Sequence, residues 1–394
     1  MNIRMVPLRD VCRQDRATVR PGEHPSLRYL GLESIEAGTG SLVEGELSKT
    51  PEAPQANSFL FGPQHVLFGK LRPYLNKVFV PNFEGKCSTE IIPLLPSDDL
   101  DSRYLAYFLR TPNTVRQIAA KTAGARMPRA DMDFVFGLEI RLPSLTEQRR
   151  IVDILSRAEG IVRLRREAKA KAQALIPALF IEMFGDPTTN PKGWPVRPFG
   201  CAGSLDRGRS RHRPRDAAEL YGGPYPFIQT GDVANSGGRL TTYASTYSEL
   251  GLQQSKLWPT GTLCITIAAN IAKTGVLTFD SCFPDSVVGF LPGEDVTTVY
   301  IQSWLSFLQP TIEANAPQAA QKNINLEILR GLPVPIPPLA LQERFRNRCE
   351  TVNAVIDQQQ LAEMTADATL GALLARAFSN GLSMHKVIAE ETVA

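Results

Sequence analysis

The chain has 394 residues, 43% hydrophobic and 21% charged, so it is long enough for two or more domains and too apolar to be intrinsically disordered. A net charge of +3 does not indicate nucleic-acid binding, so any such surface must come from local clusters of lysine and arginine. Six cysteines without a C-x-x-C pair and four dispersed histidines argue against a structural metal site. Because no apolar run is long enough for a signal peptide or a membrane helix, we expect a cytoplasmic protein with reduced thiols.

Residues 1–143 predict a mixed domain in which short strands are separated by glycine and proline. The strands are expected within residues 29–35, 65–71, 77–81 and 89–96. A helical face follows, and Pro112 divides the helical run. The face consists of Tyr104, Leu105, Phe108 and Leu109. The fold class is therefore α+β.

Residues 144–186 predict the first of two long helices, which begins after a proline break. A helix of about 37 residues extends roughly 55 Å at 1.5 Å per residue, which is longer than most globular helices. Its apolar or small positions follow the three- and four-residue steps of a coiled-coil seam, interrupted only by Arg165. These positions are Ile154, Ala158, Ile161, Ala168, Ala172, Leu175 and Leu179. Such a helix requires a partner.

Residues 187–337 predict a second mixed domain, which follows a linker rich in glycine and proline. A second long helix is expected at 338–381, and residues 382–394 form a tail without a pattern. The polar residues Gln359 and Glu363 interrupt the second seam, which lowers stability but can specify register. The seam positions are Val352, Ile356, Ala366, Leu370, Leu373 and Ala377.

The stretch GLPVPIPPLALQERF (331–345) repeats the start of the first helix at an offset of 194 residues. The same offset relates Leu179 to Leu373 and Phe184 to Phe378. A match at both ends of the helix predicts an internal duplication, so the partner helix lies in the same chain. At the start of the helices, Leu142, Pro143, Leu145 and Gln148 correspond to Ile336, Pro337, Leu339 and Gln342.

The clearest basic cluster is DRGRSRHRPRD, near the start of the second domain. Alternate residues of an extended chain point the same way, so the arginines predict a positive row that can contact phosphates or guanine edges. The alternative is a basic loop without a target. The arginines are Arg207, Arg209, Arg211, Arg213 and Arg215.

In the first domain, GKLRPYLNK places basic residues around an aromatic residue directly after a strand. Lys70, Arg72, Tyr74 and Lys77 are candidate DNA contacts, although a polar hairpin with Tyr74 packed on its own domain is an equal alternative. Two corresponding loops, near residues 123–129 and 320–325, supply paired candidates. These are Arg126 and Arg129 in the first domain, Lys322 and Asn323 in the second, with Lys273 added from the segment GTLCITIAANIAKTGVL, which corresponds to HVLFGKLRPYLNKVFV.

No catalytic motif is present. An adenine methyltransferase needs Asn or Asp before Pro-Pro and an aromatic residue, and an ATPase needs a phosphate-binding loop. The sequence contains neither motif. We therefore expect no catalytic residues, no bound cofactor and no metal in this chain.

The sequence resembles the specificity subunit of type I restriction–modification systems from Pro7 to Phe378. The resemblance is carried by RLPSLTEQRRIV and PIPPLALQERF, together with LFGKLRPYLNK, IQTGDV and AQKNIN. It implies two target-recognition domains separated by two long antiparallel helices with pseudo-twofold symmetry. Each domain would read half of a bipartite site in double-stranded DNA. It further implies two methyltransferase subunits that hold S-adenosylmethionine, and restriction subunits that use ATP and Mg²⁺.

Because the two domains carry different basic residues, we predict that the two half-sites differ. Two alternatives remain open. The chain could be an adaptor or recognition component of another DNA-modification defence complex, or a DNA-cleaving enzyme with an unrecognised site.

Overall fold

The computed structural model describes residues 4–43, 45–46, 56–124, 126–212, 214–268, 271–314 and 324–379. The chain forms two compact units. The first comprises residues 1–166 and 361–394, and the second comprises residues 167–360. Each unit therefore contains one mixed domain and a part of each long helix.

The mixed domain of the first unit is built on two four-stranded sheets. Its strands are β1 (Arg4–Pro7), β2 (Cys12–Gln14), β3 (Thr18–Val19), β4 (Arg28–Leu30), β5 (Ser58–Phe61), β6 (Val66–Gly69), β7 (Val78–Phe79), β8 (Gly85–Ser88), β9 (Ile91–Pro96), β10 (Thr122–Ala123), β11 (Arg129–Ala130) and β12 (Glu139–Leu142). One sheet has the antiparallel order β2-β9-β6-β7, and the other has the order β3-β5-β8-β4, in which β4 and β8 are parallel. Two further pairs, β1-β12 and β10-β11, are antiparallel. The predicted strands at 65–71, 77–81 and 89–96 correspond to β6, β7 and β9. The strand predicted at 29–35 was wrong beyond Leu30, where β4 ends, because Leu32–Ser34 form a 3-10 helix.

Three short helices complete this domain: α1 (Ser102–Arg110), α2 (Pro112–Ala120) and α3 (Met132–Gly137). The Asp101 carboxylate caps α1 by accepting from the backbone N–H groups of Arg103 and Tyr104, at 2.9 and 3.2 Å. The apolar face predicted for α1 is buried, and Pro112 separates α1 from α2 as expected.

The first long helix, α4, spans Leu145–Phe184, a total of 40 residues. It is followed by the mixed domain of the second unit. The strands of this domain are β13 (Val196–Pro198), β14 (Gly203–Arg207), β15 (Tyr221–Phe227), β16 (Arg239–Leu240), β17 (Ser245–Tyr247), β18 (Leu257–Trp258), β19 (Leu263–Thr266), β20 (Thr274–Leu277), β21 (Ser281–Cys282), β22 (Val287–Pro292) and β23 (Pro333–Pro335). Its helices are α5 (Thr230–Asn235), α6 (Glu249–Gln253), α7 (Thr298–Ala314) and α8 (Leu326–Gly331). The sheets have the orders β14-β22-β19-β20-β16, β17-β15-β21-β18 and β13-β23. The second long helix, α9, spans Leu339–Phe378 and also has 40 residues.

In α4 the buried seam differs from the predicted one at two positions. Ile161 and Leu175 are 52% and 51% exposed, whereas Val162 is buried and Ile176 is half-buried. The prediction for Ile161 and Leu175 as seam residues was wrong, because each has an apolar neighbour in the next position and spacing alone fits either residue. The other named seam positions are buried or half-buried, namely Ile154, Ala158, Ala172, Leu179, Val352, Ile356, Leu370 and Leu373.

Within the first unit, the segments of α4 and α9 run antiparallel. Ile151 and Leu155 share a core with Leu374 and Ala377. Further along α4, Arg166 binds Glu363 and Asp367, which precede Leu374 on α9, at 3.0 and 3.2 Å. In the second unit, Phe345 of α9 packs against aromatic side chains of α4, with ring centroids 5.7 and 5.3 Å apart. These partners are Phe180 and Phe184.

One buried glutamine joins the long helix to the mixed domain in each unit. The Gln148 side chain accepts from the N–H of Asp101 at 2.8 Å and donates to the carbonyls of Asp99 and Pro143 at 2.8 and 2.9 Å. The Gln342 side chain accepts from the N–H of Thr297 at 2.9 Å. It donates to the carbonyls of Asp295 and Pro337 at 2.9 and 2.8 Å. The two joints therefore have the same hydrogen-bond pattern.

Candidate nucleic-acid interface

In the first unit, the two predicted DNA-contact segments lie side by side. Residues 70–72 extend β6 and pair with residues 128–130. The Arg72 N–H donates to the Pro128 carbonyl at 2.7 Å, and the Ala130 N–H donates to the Lys70 carbonyl at 2.8 Å. The candidates from GKLRPYLNK and from the 123–129 loop therefore share one surface.

A tight turn presents Tyr74 at this surface. Arg72 and Asn76 both have a φ of 51°, in the left-handed region, which costs a non-glycine residue about 1–2 kcal/mol. The Asn76 amide donates to the Arg110 carbonyl at 3.3 Å, and the Asn76 carbonyl accepts from Gly38 at 3.0 Å. The turn is held in place, and Tyr74 is 54% exposed, so its ring does not pack fully on its own domain.

The cations of this surface are of two kinds. Arg72 and Arg126 are exposed and form no ion pair within the described part of the chain. Arg129 donates from Nε and Nη2 to the Glu90 carboxylate, at 3.0 and 2.8 Å, and Lys70 Nζ lies 3.9 Å from the same carboxylate. The hydrogen bond from Arg129, assisted by Lys70, lowers the pKa of Glu90 below its ordinary value.

Lys77 has a structural role in this arrangement. Its half-buried ammonium donates to the Leu32 carbonyl at 2.6 Å. The structure thus brings the segment with Lys70, Arg72 and Tyr74 next to Arg129, and Arg126 lies in the loop that precedes Arg129. The Lys77 ammonium is directed to the backbone.

In the second unit, three of the predicted arginines lie on the exposed side of one extended segment. Arg207, Arg209 and Arg211 are exposed, while Gly208 and Ser210 between them are buried. This is the alternation that an extended chain produces. Arg215 instead forms an ion pair with Asp285 at 2.9 Å. Arg213 lies outside the described residues.

Gly208 allows this arginine segment to lie directly on the neighbouring backbone. A Cβ atom at this position would be 2.2 Å from the Phe283 carbonyl oxygen and 2.4 Å from that of Pro284. The segment is held there by N–H groups of Gly208 and Arg209, which donate to the carbonyls of Val287 and Phe283 at 2.9 and 3.1 Å. Only glycine fits this contact.

A second loop, which sequence reasoning missed, supports the same row. The Gln254 side-chain oxygen accepts from the N–H groups of Arg211 and His212, at 2.6 and 3.1 Å, and the Ser255 hydroxyl donates to the Arg209 carbonyl at 2.9 Å. The Lys256 ammonium lies 3.7 Å from the centre of a ring of Trp258. Lys256 therefore adds a cation next to the row, and no local motif signals it.

The remaining candidates of the second domain are less well placed. Lys273 is exposed, directly before β20, and its N–H donates to the Thr266 hydroxyl at 3.1 Å. Lys322 and Asn323 lie outside the described residues.

Among the residues that the structure describes, no group of side chains could hold a metal ion. Over the same residues, no helix is long and apolar enough to cross a membrane. Burial raises the pKa of the Cys12, Cys87 and Cys349 thiols to about 12, so these thiols stay protonated at neutral pH.

Comparisons with known proteins identify the family of this chain. The family model described as "Type I restriction modification DNA specificity domain" matches residues 48–174 and 207–365, which is more than half of the chain. The specificity subunit of the type I restriction enzyme EcoDI of Escherichia coli is 24% identical over 169 residues. That alignment covers 42% of this chain and 37% of the relative, so the match spans well under two thirds of the relative's length.

Solved structures with the same fold cover nearly the whole chain. A structure from work on complex assembly and conformational transition of the type I R-M system matches with a TM-score of 0.60 and 22% identity, over 96% of this chain and 98% of that one. The type I restriction–modification S subunit of M. genitalium matches with a TM-score of 0.57 and 13% identity, over 97% of both chains. The α+β fold is therefore that of S subunits, and the chain belongs to the type I restriction–modification DNA specificity family.

Proposed function

We propose that this chain is the non-catalytic subunit that selects the DNA sequence in a type I restriction–modification complex. Each mixed domain reads one half of a bipartite, asymmetric site in double-stranded DNA. The observation that carries this proposal is the pair of exposed basic surfaces, one in each unit, within a chain of the specificity family. One surface presents Arg72, Tyr74 and Arg126, and the other presents Arg207, Arg209 and Arg211.

We propose that the two halves of the chain are copies of one scaffold. The two segments that the family model matches fall one in each half. In the first unit Tyr104 packs on Phe378, with centroids 4.8 Å apart, and its hydroxyl donates to the Arg141 carbonyl. In the second unit Tyr300 packs on Phe184 at 4.9 Å and donates to the Pro335 carbonyl. These matched contacts support pseudo-twofold symmetry and a pair of antiparallel helices as the spacer.

The helices also provide surface for two methyltransferase subunits. Eight large apolar side chains on them are exposed, and burial in a partner would remove them from water. Ile161 and Leu175 belong to this group and therefore serve the partner interface instead of the helix pair. The group is Ile161, Leu164, Leu175, Ile181, Leu339, Val355, Leu361 and Met364.

The chemistry belongs to the partner subunits in this proposal. The methyltransferases hold S-adenosylmethionine and modify adenine, and the restriction subunits use ATP and Mg²⁺. The complex acts in the cytoplasm, where the free cysteines of this chain stay reduced.

Co-expression with the methyltransferase and sequencing of methylated adenines tests the function. We expect one bipartite motif with two different half-sites separated by unread base pairs. Replacing Arg207, Arg209 and Arg211 by alanine should weaken methylation of that motif, while each partner subunit still assembles. A continuous or palindromic motif would contradict the two-domain assignment.

A further inference from the structure

The carboxylate of Glu90 lies within the basic surface of the first unit and contacts two of its cations. Arg129 binds it through two nitrogens, at 2.8 and 3.0 Å, and Lys70 Nζ is 3.9 Å away. All three side chains remain partly exposed. The net charge of this group of three is therefore +1 rather than +2. The same two chain segments carry the exposed cations Arg72 and Arg126.

Backbone contacts hold this surface together without the carboxylate. Glu90 lies in the turn between β8 and β9, where its carbonyl accepts from the Lys70 N–H at 2.9 Å. The Lys70 carbonyl accepts from Ala130, and the Pro128 carbonyl accepts from Arg72. Because these bonds fix the two segments, the Glu90 side chain mainly contributes its charge.

The net charge of this surface determines how strongly its DNA affinity depends on salt. Each phosphate that a cation neutralises releases counterions, which adds about 0.9 to the slope of log affinity against log salt for any duplex sequence. Contacts to base edges distinguish sequences, whereas phosphate contacts do not. A carboxylate that occupies two cations therefore limits the sequence-independent part of DNA binding.

We propose that Glu90 keeps Lys70 and Arg129 from binding phosphates and so limits the sequence-independent affinity of the first domain for DNA. This inference rests on the proposed DNA-recognition function. Glu90 touches no base in this scheme. It acts through the two cations that it holds, so it is a positioning residue.

The test uses the complex with its methyltransferase subunits and two duplexes of equal length. One contains the sequence that the complex methylates, and the other lacks it. Affinities are measured over a series of salt concentrations. With Glu90→Gln, we expect the salt slope on unrelated DNA to steepen by about 0.9–1.8, since one or two more cations are free. The slope on target DNA should steepen as well, since phosphate contacts do not distinguish sequences.

Three further variants distinguish the effect of the Glu90 charge from the effect of changing its side chain. Glu90→Asp retains the charge and should keep the wild-type slope. The double variant Glu90→Gln with Lys70→Gln restores the local net charge and should return the slope toward the wild-type value. Asp153→Asn makes the same charge change and releases Arg157, its partner at 3.0 Å on α4, so it should leave the slope unchanged.

A Glu90→Gln complex with the wild-type slope would overturn the inference, as would equal steepening by Glu90→Asp. Slopes are compared on Glu90→Gln and Glu90→Asp complexes that still methylate the target, so that a folding defect is not taken for a wild-type slope. If the wild-type complex shows no preference for the methylated sequence, the proposed function itself fails, which is a separate result.

Discussion

The two units have the same joint between helix and domain but different candidate DNA surfaces. Gln148 and Gln342 make the same three hydrogen bonds. In contrast, the first surface combines Glu90 with a strained turn, and the second is a row of arginines on an extended segment. The contacts that join helix and domain are thus the same in both units, while the candidate DNA surfaces differ. Under the proposed function, specificity can change in such a scaffold without a change in the helices that separate the domains.

The largest loss of stability is expected when the buried glutamine that joins helix and domain is replaced in either unit. Gln148→Leu and Gln342→Leu each leave one N–H and two carbonyls without partners, which costs about 2–4 kcal/mol. We expect similar losses of hydrogen-exchange protection, in α1 for the first variant and in α7 for the second. Gln117→Leu, at an exposed position of α2, serves as the control. A clearly smaller loss in one unit would show that the joints are not equivalent.

Gly208→Ala tests the second candidate surface and leaves the first one unchanged. The new Cβ would meet the Phe283 and Pro284 carbonyl oxygens, which are backbone atoms and cannot rotate away. We expect a loss of about 2–3 kcal/mol in the stability of the second unit, together with weaker DNA binding. Thermal unfolding and hydrogen exchange measure the first effect. Gly231→Ala has open space around it and should be tolerated. Equal stability of the two variants would show that the row does not depend on this close approach.

The smallest effect is expected for the salt dependence of binding to unrelated DNA, which compares the contributions of the two candidate surfaces. Alanine at Arg207, Arg209 and Arg211 should reduce the salt slope by about 2.7, and alanine at Arg72 and Arg126 by about 1.8. Lysine at the same positions keeps the slope but loses bidentate contacts to guanine, so preference for the target should fall. Unchanged slopes for both alanine variants would exclude these surfaces from DNA contact.

The elements that local chemistry controls were predicted from the sequence. Proline and capping residues define the boundaries of α1 and α2, and the positions that the apolar spacing selects in α9 are buried or half-buried. In α4 the spacing was ambiguous wherever two apolar residues are adjacent, and only packing selects Val162 over Ile161 and Ile176 over Leu175.

Contacts between distant segments of the chain could not be read from the sequence. Nothing in the local sequence places Glu90 beside Arg129, or Gln254 beside Arg211. Composition identifies basic residues, but not which of them have a carboxylate as a neighbour. For this reason Lys70, Arg129 and Arg72 were indistinguishable as candidates, although the structure gives only Arg72 an unpaired charge.

The chain segments that make up the two units also determine the order in which the units can finish folding during synthesis. The second unit is one continuous segment, residues 167–360, whereas the first needs both the first 166 residues and the final part of α9. Its core includes Leu374 and Ala377, which leave the ribosome after the whole second unit. The domain that is translated first is therefore the last to close its hydrophobic core. Until then it exposes apolar surface on Ile151 and Leu155, and a chain truncated before α9 ends would leave that surface uncovered.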